Sequence, residues 1–425
     1  MHIHSTSFAL SAPLRHCVRF VLLAIALGGW GRASGEPPVA KPQIEQSLQK
    51  ACEYLWSQQA DDGGWHSGQY GVLRSGQALT PFVLNALLNV PESTCPRPTN
   101  GVERALAFIR SHVDDQGALG HSDPDIAEYP VYSTAYALLC LARAGQSNDF
   151  ALAQKMNNYL VKVQYQDENG FDPSMPCYGG WGLDAPRHPG ESGHMDLAHT
   201  RRALQALKTF DRWWHESTGA VCGKNFIGVH AEMFLHVVQR HPDAVAAQPG
   251  INPVLCRTPS IPYDGGFYFS PVVAAANKGR VEETEGASYF RSYATATCDG
   301  VLALLAAGVD RKDERVASAV NWLADRENLD YPQGVPTDFP EPWGEAIRFY
   351  HYAVRAEAYA ALDWSDDWRE RLGRAVAERQ AADGSFQNTA SPLMKEDDPI
   401  ECTTLAVTAL SRCLETDHSA ANGSP

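Results

Sequence analysis

The sequence predicts an all-α fold made of six helix–turn–helix units that stack on one another. Two observations support this prediction. First, a short sequence pattern, in which an aromatic and an aliphatic residue are followed by Gln and a Gly turn, recurs six times, although the later copies are incomplete. Second, each copy is followed by a segment rich in Ala and Leu whose apolar residues lie three and four positions apart, as in a helix. A repeat of this kind cannot bury its apolar face alone, so the units must pack against their neighbours. The 425 residues, 44% hydrophobic and 20% charged, are ample for a large core.

The first 35 residues are predicted to form a secretory signal peptide. Basic residues around Arg15 precede the apolar run 20–27, and small residues follow that run, which is the three-part layout of export signals. The run is too short to cross a bilayer as a resident helix. We therefore expect a secreted or periplasmic protein with one folded domain over 36–415 and a disordered tail over 416–425.

The charge and the cysteines argue against several classes of partner and site. The formal net charge is −15, and an acidic chain disfavours nucleic acid and anionic membranes as partners. No segment after the signal is long and apolar enough to cross a membrane. The ten cysteines form no C-x-x-C pair, which excludes a zinc ribbon. We expect neither a metal nor a cofactor, and at least one of the nine cysteines after the signal is free or pairs between chains.

The first copy of the repeat is the most complete. It runs Lys50-Ala51, Tyr54-Leu55, Gln59 and Gly63-Gly64-Trp65. Glycine suits such a tight turn because it adopts positive φ without a steric penalty. The later copies are decayed, and their turns are expected at 115–117, 169–171, 264–267, 330–332 and 383–386.

The segments after these turns are predicted to be the second helix of each unit. They are Leu79–Leu88, Tyr132–Ala144, Leu197–Phe210, Tyr293–Ala307, Ile347–Leu362 and Thr403–Leu414. Gly145 and Gly308 lie where a helix would end. Six such helix pairs are compatible with an open solenoid or with a closed ring.

The sequence pattern resembles the repeat of squalene–hopene cyclases and related triterpene cyclases, and Lys50 to Trp65 fits that repeat at every place. The resemblance covers roughly Pro42 to Leu414. It implies a single α/α toroid of six inner and six outer helices, a fold shared with protein prenyltransferase β subunits. The Gln and the aromatic residue of the repeat are interpreted as structural: they join outer helices to their loops.

In a toroid of this kind, the amino ends of the inner helices gather at one mouth of a central cavity, where a site is expected. The cyclases protonate an alkene with an acid in the pattern D-x-D-D-T-A. Aligned on Thr200, Asp196 matches the first Asp, but His199 occupies the position of the protonating acid. A histidine with a pKa near ~6.5 is far too weak an acid for an alkene. The resemblance therefore implies a cyclase-like protein that lacks the standard acid.

Four residues near the starts of inner helices are candidate catalytic groups: Asp196, His199, Asp299 and Glu401. Six more are candidate ligand-binding residues: Tyr132, Trp181, His194, Tyr293, Tyr350 and His351. Structural alternatives stay open for several of them. Asp196 also fits a helix N-cap, and His194 and His199 also fit partly exposed polar residues near the mouth. Asp299 also fits a buried ion pair with Arg291 or another Arg, and the aromatic residues also fit ordinary core packing.

Three functions remain open from the sequence. The first is an enzyme or binding protein for a small apolar or isoprenoid-like ligand; as an enzyme it would be a terpene cyclase-like isomerase or lyase, or a prenyl transferase-like protein. The second is a secreted carbohydrate-active enzyme on an α/α barrel, a glycosidase or a polysaccharide lyase, which needs two carboxylates roughly 5 to 9.5 Å apart. Its candidates are Asp196, Asp299, Glu345 and Glu401. The third is a non-catalytic binding scaffold.

Overall fold

A computed structural model describes residues 40–188, 194–220, 226–241, 262–278, 281–284, 287–364 and 367–415. The predicted signal peptide and the predicted tail lie outside these residues, so both stay predictions. The α-helices of the described part are α1 Ala40–Ser57, α2 Leu79–Leu88, α3 Gly101–His112, α4 Pro130–Ala144, α5 Phe150–Lys162, α6 Leu197–Thr218, α7 Phe226–Val238, α8 Ala294–Ala307, α9 Glu314–Ala324, α10 Trp343–Ala346, α11 Arg348–Ala361, α12 Trp368–Ala377 and α13 Pro399–Leu414.

Strands and 3-10 helices are short and few in the described residues. The antiparallel pairs are β1 Trp181–Gly182 with β2 Met195–Asp196, and β3 Glu282–Thr284 with β4 Ala287–Tyr289. The 3-10 helices are Gly71–Leu73, Ser147–Asp149, Asp167–Asn169 and Ala274–Asn277. The all-α prediction is therefore confirmed.

The second helices of the six units form a closed inner ring. Helices α2, α4, α6, α8, α11 and α13 each pack on the next one in this order, and α13 packs back on α2. Helices α1, α3, α5, α7, α9 and α12 lie outside and contact the inner ones, and α1 also contacts α12 and α13. The sequence was compatible with both an open solenoid and a closed ring. Because the last unit contacts the first, the structure is a closed ring, a toroid.

Small side chains allow the inner helices to approach closely. In α8, Ala294, Ala296 and Ala303 are fully buried, and so are the polar Thr297 and Asp299. Such a helix is enclosed on nearly every side, which explains why its apolar residues are not confined to one stripe. Within the part of the chain that the structure describes, no helix is both long enough and apolar enough to span a bilayer.

Four glutamines join the units by the same pair of hydrogen bonds. The side-chain amide of Gln59 donates to the carbonyl of Gly63, in its own turn, and to the carbonyl of Gly101, at the start of the next outer helix, both at 2.9 Å. Gln164, Gln239 and Gln380 repeat this arrangement in units three, four and six. The second acceptor of Gln380 is the carbonyl of Ser47 in α1, at 2.8 Å, so this bond connects the last unit to the first.

The aromatic residue of the turn is held by the inner helix. The backbone N–H of Trp65 donates to Thr80 Oγ1 of α2, and its indole donates to the carbonyl of Leu55 in α1. Corresponding bonds reach Thr200 from Trp181, Thr297 from Phe267 and Thr403 from Phe386. These contacts support the interpretation of the repeat as structural.

The turn of the third unit is not the predicted one. The sequence suggested 169–171, but Gln164 bonds to the carbonyl of Gly179, and the aromatic of this unit is Trp181. A Cβ at Gly179 would lie 1.8 Å from the carbonyl oxygen of His230, so only glycine fits this position. Residues 165–178 are an insertion between the glutamine and its turn.

Candidate functional site

The inner ring encloses a chamber of about 530 Å³, and all six inner helices contribute to its wall. The wall is mainly apolar, with several tyrosines among its residues. Tyr132 and Tyr136 of α4 stack with their ring centroids 5.9 Å apart, and the ring of Tyr132 also meets the His199 imidazole at 4.1 Å. Burial raises the pKa of Tyr132, Tyr293 and Tyr350 well above the ordinary value, so their hydroxyls stay protonated.

The start of α6 brings one carboxylate and two imidazoles together on the wall of the chamber. Asp196 caps the helix, because its Oδ1 accepts the backbone N–H of His199 at 2.9 Å. Its Oδ2 lies 2.7 Å from Nε2 of His194 and 2.9 Å from Nδ1 of His199. The N-cap that the sequence left open for Asp196 is therefore real, and the same carboxylate also orients both histidines.

The local structure explains how these three residues meet. Asp196 and His199 are one helical turn apart, whereas His194 is placed by the antiparallel pairing of β2 with β1. The side chain of His199 is only 5% exposed and that of His194 is 34% exposed. Partly exposed polar side chains near the mouth were the structural alternative for both histidines, and the exposure agrees with it for His194 but not for His199.

The two histidines keep Asp196 ionised. Burial alone would raise the pKa of this carboxyl, but His199 and His194 outweigh that effect and hold it well below its usual range. The ligand atoms of His194, Asp196 and His199 all lie within 4.8 Å of one another, so the three could also hold a metal ion. The absence of a metal stays a prediction.

Asp299 lies behind the wall of the chamber and is already satisfied. It is fully buried, accepts a hydrogen bond from Arg201 at 2.9 Å and accepts the hydroxyl proton of Tyr350 at 3.0 Å. Burial raises its pKa to about 6, although Arg201 opposes that shift. The buried ion pair that the sequence left open for Asp299 is therefore present, but its partner is Arg201; Arg291 pairs with Glu282 instead.

Glu401 lies in the first turn of α13 and lines the chamber. Burial raises its pKa to about 8, and the neighbouring carboxylates add to this effect, whereas Lys395 opposes it. Its carboxyl group is therefore mostly protonated at neutral pH. The wall of the chamber thus includes a mostly protonated carboxyl group, Glu401, and an ionised carboxylate, Asp196. Two further carboxyl groups of the wall already have partners: Glu357 accepts from Arg201, and Glu396 accepts the backbone N–H groups of Phe349 and Tyr350.

Comparison with known proteins identifies the fold. No protein-family model matches the chain, and no curated protein matches it. A variant of the type II terpene cyclase MstE from Scytonema, in complex with geranylgeranyl dihydroxybenzoate, superposes with a TM-score of 0.51 at 13% identity, covering 88% of this chain and 97% of that one. A second variant, in complex with merosterolic acid A, gives a TM-score of 0.50 at 14% identity, covering 88% and 97%.

A further solved structure, the α-1,6-mannanase GH76A of Salegentibacter sp. HEL1_6, gives a TM-score of 0.47 at 10% identity, covering 87% of this chain and 98% of that one. The fold assignment rests on the two cyclase complexes. The protein has the α/α-toroid fold, which it shares with these cyclases.

Two of the predicted ligand-binding residues lie outside the lining of the toroid's chamber. Trp181 is fully buried, and its indole donates to the carbonyl of Leu160 at 2.7 Å, so it has the structural role of Trp65. His351 is fully buried on α11, with Nδ1 3.1 Å from Thr295 Oγ1. Burial lowers the pKa of His351 well below its usual value, so this imidazole is neutral. Neither side chain is placed to touch a ligand in the chamber.

Sequence reasoning missed a buried ion network in the wall of the toroid. Arg201 of α6 donates to Asp299 at 2.9 Å and to Glu357 of α11 at 2.5 Å, and Arg202 lies 3.6 Å from Glu357. Asp299 was singled out because an acid within an Ala-rich inner helix is costly unless it is paired. The same argument applies to Arg201, Arg202 and Glu357, which lie within the second-helix segments, so the signal was present in the sequence.

Proposed function

We propose that the chamber binds a small, largely apolar ligand of the isoprenoid type and transfers protons at it. The observation behind this proposal is that two of the carboxyl groups lining one mainly apolar cavity are in opposite states: Glu401 is mostly neutral, and Asp196 is ionised and orients two imidazoles. Titratable groups whose pKa values are pushed apart within one cavity are typical of an acid and a base.

Glu401 is the proposed proton donor. Its carboxyl group is protonated at neutral pH because burial raises its pKa to about 8. The backbone N–H of Glu401 donates to Asp398 Oδ1, but among the described residues no side chain forms a hydrogen bond with the carboxyl group of Glu401, so its O–H is available to a ligand in the chamber. A general acid works best when its pKa lies near the operating pH, and Glu401 meets that condition.

His194 is the proposed proton acceptor. Its Nε2 lies 2.7 Å from Asp196 and donates the hydrogen bond to that ionised carboxylate, which leaves the lone pair on Nδ1. His199 is more deeply buried and acts as a positioning residue, because its N–H groups hold Asp196 from the other side. This assignment exchanges the roles that the sequence suggested for the two histidines.

The strength of the acid limits the reaction. A carboxyl group with a pKa of about 8 cannot protonate an isolated alkene, which is the first step of squalene cyclisation. It can protonate an oxygen or a carbon activated by a carbonyl group. We therefore propose an isomerisation of an α,β-unsaturated isoprenoid carbonyl. His194 removes a proton from the γ-carbon, the C–H electron pair moves into the conjugated system, and Glu401 delivers a proton to the α-carbon, so that the double bond shifts from the α,β to the β,γ position and no net proton is consumed.

The carbohydrate alternative has less support in this cavity. A glycosidase needs two free carboxyl groups flanking the glycosidic bond. Of the four candidates, Asp299 and Glu345 are not among the described residues that line the chamber, and both oxygens of Asp196 are engaged. A mainly apolar wall also suits a terpene better than a sugar chain.

The test is deuterium exchange into a bound ligand. The purified mature chain is incubated in D₂O with farnesal, squalene or a mannotriose, and the products are analysed by mass spectrometry. We expect deuterium in farnesal only. Glu401→Gln and His194→Gln each slow the exchange by about 100-fold or more while farnesal binding persists.

Glu168→Gln, which changes an exposed glutamate outside the chamber, serves as the control and leaves the rate unchanged. Failure of every isoprenoid probe to bind would overturn the proposal, and so would exchange that proceeds equally fast in both chamber variants. Turnover of the mannotriose would establish the carbohydrate alternative instead.

We also propose that the chain is exported. The layout of the first 35 residues supports this proposal, with basic residues, an apolar run and small residues in order. N-terminal sequencing of the protein from its native host tests it. A mature chain that begins near residue 36 is expected, and a mature chain that still begins at residue 1 would contradict export by cleavage.

A further inference from the structure

A second cavity, of about 240 Å³, lies at the other end of the inner ring. Its wall includes the last turns of α4 and α13 and the middle of the long helix α6. We call this cavity the basic pocket because of the charged residues in its wall: Arg143, Arg202, Lys208, Arg212, Arg412 and a single acid, Glu357. Five cations thus share a wall with one carboxylate in a chain whose net charge is −15, and of these cations Arg412 also pairs with Glu415 outside the basic pocket.

The single acid does not neutralise these cations. Glu357 already accepts a hydrogen bond from Arg201 at 2.5 Å, so its charge is shared with a residue outside the basic pocket. Within the described part of the chain, no carboxylate pairs with Arg143, Lys208 or Arg212. Lys208 donates to the carbonyl of Leu305 at 3.0 Å, which is a neutral acceptor.

Helix dipoles account for only some of these charges. A cation in the last turn of a helix is favoured by roughly 0.3 to 1 kcal/mol, which applies to Arg143 in α4 and to Arg412 in α13. Lys208 and Arg212 belong to the middle of α6, which continues to Thr218. The helix ends therefore do not account for Lys208 and Arg212, whose side chains also reach solvent; what sets these cations apart is that they line one cavity together with Arg143, Arg202 and Arg412.

The cations also destabilise one another. Arg143 reaches solvent, but the protein atoms around it partly desolvate its guanidinium and lower its pKa, and the positive charges of Arg412 and Arg202 add to this effect. Burial and the charge of Arg212 likewise lower the pKa of Lys208. Protonation of these side chains is penalised in the ligand-free protein, as expected for a site that is completed by an anion.

We propose that the basic pocket binds an anionic group of the phosphate, diphosphate or carboxylate class. Arginine side chains offer paired N–H donors that match such oxygens. The basic pocket shares Arg202, Glu357 and Arg412 with the wall of the chamber. The anion is therefore either a free ion or the head group of a ligand whose apolar body lies in the chamber, and the chemistry of the contact is the same.

Isothermal titration calorimetry of the mature chain with sodium diphosphate at low ionic strength is the first test. We expect binding that weakens as salt is added, since charge–charge attraction is screened. Arg143→Gln and Lys208→Gln should each weaken binding by about tenfold. Arg311→Gln is the matched control, because Arg311 is an exposed arginine that pairs with Asp363 outside the basic pocket, and it should bind like the unmodified chain.

A stability measurement separates a binding role from a structural one. If the cations repel one another, Arg143→Gln leaves the urea midpoint of the ligand-free protein unchanged or raises it. A lowered midpoint with unchanged diphosphate affinity would assign Arg143 to the structure and overturn the proposal. Absence of binding by diphosphate and by dodecyl phosphate at low salt would also overturn it.

The source of the anion is settled by comparing dodecyl phosphate with inorganic phosphate. Tighter binding of dodecyl phosphate identifies the anion as a ligand head group, whereas equal affinities identify a free ion. Only this comparison rests on the proposed function of the chamber. Dodecanol binding measures the chamber alone, so a failure there is distinguishable from a failure of the basic pocket.

Discussion

Glu401 is placed where two physical effects oppose each other. It lies in the first turn of α13, where the positive end of the helix dipole favours the ionised carboxylate. Burial against the mainly apolar chamber outweighs this effect, together with the charges of Asp398 and Glu396, and raises its pKa to about 8. Because the proton stays on Glu401 only in the folded protein, the stability of the toroid depends on pH.

Replacement of Glu401 by glutamine should flatten that pH dependence. In the unfolded chain a glutamate loses its proton near pH ~4.3, and in the folded chain Glu401 loses it near pH 8. Between these values the native state binds one more proton, so stability falls as the pH rises, by about 1 kcal/mol per pH unit. Glu401→Gln removes this contribution and should be more stable than the unmodified protein at pH 8 but not at pH 5.

Urea midpoints at pH 5, 6.5 and 8 measure this difference. Glu168→Gln is the control and should follow the curve of the unmodified protein. Parallel curves for Glu401→Gln and the unmodified chain would mean that Glu401 is already ionised at neutral pH, and the proton donor of the proposed reaction would then be lost as well.

The glutamine of each unit couples its own turn to the next outer helix, and one of these glutamines closes the ring. Gln380 donates to Gly384 in its turn and to Ser47 in α1, while Gln59 makes the same two kinds of bond within the first and second units. The two residues differ only in whether their bond connects sequence neighbours or the two ends of the domain.

Gln380→Ala and Gln59→Ala should therefore lower the free energy of unfolding by similar amounts but loosen different parts of the domain. Each removes two hydrogen bonds worth about 1 kcal/mol apiece, so both should lower the free energy of unfolding by about 2 kcal/mol. Hydrogen exchange should rise in α1 for Gln380→Ala and at the start of α3 for Gln59→Ala. Unchanged exchange in α1 for Gln380→Ala would contradict its role in closing the ring.

The helices were easier to predict than the turns. All six second-helix segments were found, because Ala- and Leu-rich periodicity is a local signal. The third turn was missed because Gly170 and Gly179 both adopt positive φ, 83° and 85°. Of the two, only Gly179 accepts the hydrogen bond from the side chain of Gln164, with its carbonyl, and lies against the backbone of His230 in the next outer helix. That contact is long-range, and a single sequence does not reveal it.

The candidate site was predicted in outline for the same reason. Asp196, Glu401 and the tyrosines were singled out because they lie at or near the starts of inner helices, and the structure places them on the wall of the chamber. The position of His194 beside Asp196 depends on the pairing of β2 with β1. Twelve residues of chain separate these two strands, so the sequence did not reveal their pairing. The basic pocket was not predicted, since its cations lie on three different helices that meet only when the ring closes.

At the scale of the whole molecule, the ring is closed only by contacts between its ends. Helix α13 packs on α11, on α2 and on α1, and α12 packs on α1. Each unit therefore has two neighbours, and the described part of the domain has no terminal unit with a polar outer face. An open solenoid differs in this respect, because its terminal repeats cap the stack and can be removed at the cost of one interface.

A chain that ends at residue 364 should consequently fail to form a stable domain. The truncation removes α12 and α13, and with them two interfaces of the inner ring and the cover over α1, so that apolar faces on both sides of the gap meet water. We expect loss of the cooperative urea transition seen by circular dichroism, together with aggregation in size-exclusion chromatography. A chain that ends at residue 415 keeps all thirteen described helices and should unfold like the full-length protein. If the shorter chain instead kept a sharp transition and most of its helical signal, the units would be independent of ring closure, and the chamber would owe its shape to the stacking of neighbours alone.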